Sequence, residues 1–239
     1  MAHISQGQRP VYRRTRARAS PLTGPLLLLL GASALAAAYV GYVLWPRWPG
    51  APVSLDAPAL PIMIAGVMFN IEPAAIRMSV QRKPGTQERV DLAYLWPSLT
   101  PPDPAIKPTV AAPHNPNERL FVTIAGTGGT LPPLERLQNI YPRYLAAAAA
   151  DKNGLTLRPF RDGTVYQGED LIYEAGAAAR FLARCSRQGI GNSGMCLYER
   201  RIGDADVTLR FPRDWLADWK SVADGTERLL ARLHPPRNQ

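Results

Sequence analysis

A serine set among glycines is the local setting of an acyl-transfer nucleophile, because small neighbours let backbone N–H groups approach a developing oxyanion. Ser193, between Gly191 and Gly194, is such a serine. The aspartate that usually precedes it is replaced by Asn192, and Met195 breaks the alternative G-x-S-x-G elbow. Its base would have to be His114, in a proline-rich stretch, or His234, near the C-terminus. A second chemistry is open to Glu169, Asp170 and Glu174, since paired carboxylates can divide general acid and base duties. Spacing does not bring either set together. A glycine-rich turn and solvated strand carboxylates account for the same residues, so an exported hydrolase using Ser193 or the acidic cluster is the alternative reading, and a non-catalytic protein the preferred one. No catalytic residue, cofactor or metal is assigned. Cys185 and Cys196 have no histidine beside them and would leave a zinc tetrahedron half empty.

Binding chemistry is better represented. Arg184, Arg187, Arg200 and Arg201, with Arg180, flank the two cysteines and could form a basic patch for phosphate, acidic polysaccharide or lipid headgroups. Local carboxylate partners would instead make them ordinary surface arginines. Gly126, Thr127, Gly128 and Gly129 lie between a strand and a helix, where backbone N–H groups can hold an anion. This turn lacks the lysine of a phosphate-binding loop and the spacing of a dinucleotide fingerprint. Cys185 and Cys196 enclose a stretch with three glycines and an asparagine, so a disulfide closing a hairpin-like loop is expected between them.

The elements that must position these groups read as follows. Residues 62–71, 89–96 and 119–126 are rich in β-branched and aromatic residues and are expected as strands. A helix should follow, capped by Thr130 and carrying Leu134, Leu137, Tyr141, Tyr144 and Leu145 as its apolar stripe, with Pro142 kinking or splitting it. Short strands are expected at 155–160, 164–175, 179–185, 196–201 and 206–211; Val207, Leu209 and Phe211 alternate with Thr208 and Arg210. Residues 212–233 show helical spacing in Trp215, Trp219 and Val222, then in Leu229, Leu230 and Leu233. Neighbouring strands without strict βα alternation predict an α+β domain with a mainly antiparallel sheet and a few packed helices.

Ahead of that domain lies a different kind of chain. Arg9, Arg13, Arg14, Arg16 and Arg18 have no acidic neighbour, and they precede 19 uncharged residues from Leu26 to Leu44. A helix of that length, at about 1.5 Å per residue, matches the roughly 30 Å hydrocarbon core. Tyr39, Tyr42, Trp45 and Trp48 gather at its far end, where amphipathic rings favour the headgroup layer. The boundaries expected are a basic cytoplasmic tail at 1–20, a transmembrane helix at 21–45, a proline-rich linker at 46–61 and a periplasmic domain at 62–239. A cleavable signal peptide is the alternative for 21–45, because small residues follow the leucine core, but the apolar run outlasts a signal segment. Either way the domain is exported.

The formal charge of +9 comes largely from the tail: without those five arginines, 23 basic residues face 19 acidic ones, so nucleic acid is not an expected partner. Arginine outnumbers lysine 24 to 4, as G+C-rich codons would produce, which points to a bacterium. The expected partners are the lipid bilayer, through residues 22–45, and another envelope protein or an anionic envelope component. The role expected is binding, scaffolding or assembly at the inner membrane.

Overall fold

The computed structural model describes residues 23–44, 53–103, 105–106, 118–187 and 194–235. It divides into two units, residues 1–48 and 49–239. The first contains α1, Thr23–Leu44. Leucine and alanine dominate it, it holds no charged residue, and residues 24–43 are exposed on every side. Among the described residues it is the one helix long and apolar enough to cross a membrane.

The second unit is α+β. An eight-stranded sheet runs in the order β4 (Arg89–Leu95), β5 (Arg119–Gly126), β11 (Ala205–Pro212), β10 (Met195–Ile202), β9 (Leu182–Ser186), β8 (Glu169–Glu174), β7 (Leu155–Pro159), β6 (Ala150–Lys152). Every neighbouring pair in it is antiparallel. A small sheet adds the hairpin β1 (Leu60–Ile64) and β2 (Val67–Ile71), with β3 (Gly85–Thr86) parallel to β1. The stretch expected as strand at 62–71 is thus a hairpin. Its Ala65–Gly66 turn has positive φ at both residues, the mirror-image geometry whose twist suits antiparallel strands.

Period-two burial places the core. Leu120, Val122 and Ile124 of β5, and Val207, Leu209 and Phe211 of β11, point inward, while Phe121, Thr123, Thr208 and Arg210 point out. The inward face packs on the β1–β2 hairpin and on α3 (Trp219–Leu233), whose Trp219, Val222, Ala223, Leu229, Leu230 and Leu233 form one apolar stripe. Burying each such large side chain contributes about 1.5 to 3 kcal/mol before the entropy of ordering is subtracted. A second, smaller cluster of Tyr141, Leu145, Phe160, Leu171 and Leu182 covers part of the opposite face. Tyr166 meets Tyr141 and Tyr144 there edge-on, at 5.4 Å from each.

Two local expectations need correcting. The helix predicted from Thr130 is shorter: α2 spans Pro133–Asn139, and Pro132 stands at its cap. The Thr130 hydroxyl donates instead to the Thr127 carbonyl (2.7 Å) and to Asp206 (3.0 Å). Pro142 does end the α-helical run, because a proline cannot donate to the preceding turn; residues Tyr141–Arg143 form a 3-10 turn. The alanines that follow are not helical, and Ala150 opens β6. Asn153–Gly154, both at positive φ, turns β6 into β7, and an Asn-Gly pair is the sequence signal for that hairpin. The C-terminal helical pattern also divides, into a 3-10 segment at Arg213–Asp218 and then α3.

Candidate functional site

The cysteine hairpin organises one half of the large sheet. Cys185 on β9 stands directly opposite Cys196 on β10, and the two are disulfide-bonded and fully buried. One residue before Cys196, the Met195 N–H donates to the Ser186 hydroxyl (2.8 Å), drawing the strands together past the crosslink. Gly194 lies at φ +77, and a Cβ there would sit 2.7 Å from the Ser186 carbonyl, so only glycine fits.

Asp170 sits beside the disulfide, opposite Cys185 on β8. Its carboxylate is buried and accepts from Arg213 at 2.6 Å and from Arg187 at 3.0 Å. Arg213 also donates to the Ser186 carbonyl (3.0 Å), and Arg187 to the Phe160 carbonyl (2.6 Å). One buried carboxylate thereby ties β8, the base of the hairpin and the end of β11 into a single clamp. Sequence reasoning missed Arg213, which lies 28 residues from Cys185.

The remaining arginines of the expected patch are matched in the same way. Arg184 meets Glu169 (2.8 Å) and lies over the Tyr166 ring; Arg200 meets Glu227 (2.6 Å); Arg201 meets Asp206 (2.7 Å); Arg180 meets Glu174 and Asp224. The hydrogen bond to Asp206 holds the Arg201 guanidinium above the usual arginine range, against the opposing effect of burial. Glu169 and Asp170 are successive strand residues, so they project to opposite faces of the sheet and each answers a different arginine.

The glycine turn and Arg201 come together although they lie far apart in sequence. Arg201 donates to the Thr130 carbonyl (2.9 Å), and the Thr127 N–H donates to the Asp204 carbonyl (3.1 Å). Gly126, Thr127, Gly128 and Gly129 therefore face the Asp206 carboxylate, and α2 begins only at Pro133. Beside this junction a cleft of about 320 Å3 is lined by Pro132, Leu134, Tyr198, Arg200 and Arg201. Burial first, outweighing the nearby Arg200 charge, pushes the Tyr198 phenol up to about 12. Its hydroxyl donates to the Arg180 carbonyl (2.6 Å), so it serves as a neutral structural donor.

Of the hydrolase residues, Ser193 and His114 lie outside the described residues. His234 is engaged on β2: its Nδ1 is 2.9 Å from the Met68 carbonyl oxygen, and its ring packs on Phe69. Among the described residues no group of three His, Cys, Asp or Glu side chains is placed to hold a metal ion.

No protein-family model matches the chain, and no curated protein matches it in sequence. Its fold is similar to that of Smlt3025, an immunity protein of the Stenotrophomonas maltophilia type IV secretion system. The TM-score is 0.52 at 15% identity, over 74% of this chain and 93% of that one. FrpD, an iron-regulated outer membrane lipoprotein of Neisseria meningitidis, aligns with a TM-score of 0.39 at 9% identity, over 74% of this chain and 95% of that one.

Proposed function

We propose that the chain is a single-pass inner-membrane protein of a bacterium, that it holds its α+β domain in the periplasm, and that the domain acts by binding another protein in an immunity role. In that role it would occupy a toxic protein delivered by a secretion system and so protect its own cell. The observation that carries this reading is the shared fold with an immunity protein over 93% of that protein's length. Two features of the chain agree with it. The arginines before α1 and the aromatic residues at its far end orient the helix with the N-terminus inside. A buried disulfide belongs in an oxidising compartment. The carboxylates that an acid–base mechanism would need are held by arginines, which favours binding over hydrolysis.

The test is survival in co-culture. A strain lacking the chain should lose viability beside its parent when the parent's secretion systems are intact, and regain it when the full chain is supplied. Equal survival with and without the chain would overturn the immunity role. Alkaline phosphatase fused behind residue 60 should be active in cells; activity of a cytoplasmic reporter alone at that position would overturn the topology.

A further inference from the structure

The outward face of the large sheet is accessible where β4, β5 and β11 run together. Phe121 of β5 has Ala93 and Arg210 as its cross-strand neighbours, and Leu197 of β10 stands opposite Arg210. Phe121 and Leu197 are half-buried and Arg210 is exposed. Arg77 lays its guanidinium over the Phe121 ring, 4.8 Å from the centroid. Arg119 comes two residues before Phe121 on the same face. Burial first, and the Arg77 charge second, hold the Arg119 pKa below the usual arginine range, so these two cations feel each other.

None of the three makes an ion pair among the described residues, whereas Arg89, Arg136, Arg180, Arg184, Arg187 and Arg200 each do. All 19 acidic residues of the chain lie among the described residues, so no acidic side chain remains elsewhere to answer these arginines. The acids nearest to hand do not bridge them: Asp91 is held by Arg89, Gln81 and Thr123, and Glu118 acts on Arg119 only as a neighbouring charge. Like charges gathered without a counter-ion cost free energy, and an anion brought from outside would recover it. Arginines around a half-exposed aromatic ring, on a flat β surface, have the composition of protein–protein hot spots. Phe121 stays within the sheet surface and does not protrude as a membrane-inserting ring would.

We infer that Arg77, Arg119 and Arg210, set around Phe121, form a docking surface for a segment of a partner protein rich in aspartate and glutamate. This rests on the protein-binding reading above and names the surface and the chemistry of its partner. Guanidinium groups accept carboxylates in paired hydrogen bonds, and the Phe121–Leu197 strip receives the apolar side chains between them.

The experiment uses the full chain in nanodiscs of zwitterionic lipid, with a fluorescent polyglutamate peptide as probe. Replacing the trio, as Arg77→Gln, Arg119→Gln and Arg210→Gln, should weaken binding about tenfold or more, since exposed charge pairs are individually weak and act here in sum. Removing three charges elsewhere, as Arg143→Gln, Lys152→Gln and Arg228→Gln, should weaken it less than about twofold. Equal losses in the two variants would overturn the site, and so would tighter binding through the trio to phosphatidylglycerol vesicles than to the peptide. In co-culture, a trio variant that melts like the wild type and fails to protect supports the surface. One that protects fully refutes the surface and leaves the immunity role intact. Failure of that role shows separately, as equal survival of the deletion strain, and the peptide measurement then decides the surface.

Discussion

Both halves of the large sheet carry arginines, and they use them differently. Around β8, β9 and β10, Arg184, Arg187, Arg200 and Arg201 each sit within salt-bridging distance of a carboxylate, and the most buried acid, Asp170, answers two guanidinium groups. Around β4, β5 and β11, Arg89 has Asp91, but Arg77, Arg119 and Arg210 form no ion pair among the described residues. The difference follows from burial. A carboxylate removed from water must be matched, because an isolated charge in a low-dielectric setting costs several kcal/mol. Where the face stays wet, no such demand exists and a charge can stand open to a partner. The disulfide half is therefore read as scaffold and the open half as surface.

The sharpest way to break that contrast is to remove its centre. Asp170→Ala leaves Arg213 and Arg187 uncompensated at the base of the hairpin, and should destabilise the domain by about 3 to 5 kcal/mol in urea unfolding. A loss under about 1 kcal/mol would place Asp170 with the surface pairs and erase the distinction. Next in size is the crosslink. Replacing Cys185 and Cys196 together by serine should cost somewhat under about 3 kcal/mol, the value for a closed loop of this length. Reducing agent should lower the melting temperature of the wild type and leave that variant unmoved. Smaller again is Arg200→Gln, which gives up a pair with Glu227 at the domain surface; the expected change is below about 1 kcal/mol. The trio variant should be smaller still, within about 0.5 kcal/mol of the wild type, because its arginines have no intramolecular partner to lose.

Much of the scaffold was legible in the sequence, because its signals are local. The apolar run of α1, the alternation in 119–126 and 206–211 and the stripe of α3 each depend on residues within one element, and the structure places those elements at Thr23–Leu44, Arg119–Gly126, Ala205–Pro212 and Trp219–Leu233. Cysteines eleven apart around a glycine-rich stretch could be read the same way. What escaped was of two kinds. β6 was hidden because a run of alanines before Asn153–Gly154 reads as a continuing helix, and strand pairing with β7 decides its conformation. The clamp on Asp170 and the cluster around Phe121 escaped because each assembles residues from three or more separate segments. For the second of these a signal was present. In β5 and β11, the residues between the buried ones include Arg119, Phe121 and Arg210, and an aromatic ring with arginines on the wet side of two confident strands marks a surface worth testing.

Asp91 offers the finest measurement, since it is the point where the open half still matches a charge. Burial alone would raise its pKa, but hydrogen bonds from Arg89, Thr123 and Gln81 together outweigh that and hold the carboxyl below the usual carboxylate range. A carboxyl whose pKa is lower folded than unfolded binds its proton more weakly in the native state. It therefore stabilises the fold fully at pH values above the ordinary carboxylate pKa, and that contribution fades as the pH falls toward the folded value. The difference in unfolding free energy between the wild type and Asp91→Asn should accordingly be largest near neutral pH and shrink steadily below about pH 4. Other carboxylates titrate in both proteins and drop out of the difference. If the gap stays constant through the acid range, Asp91 is not held by its charge, and Arg89 would join Arg77, Arg119 and Arg210 as a fourth guanidinium available to an acidic partner.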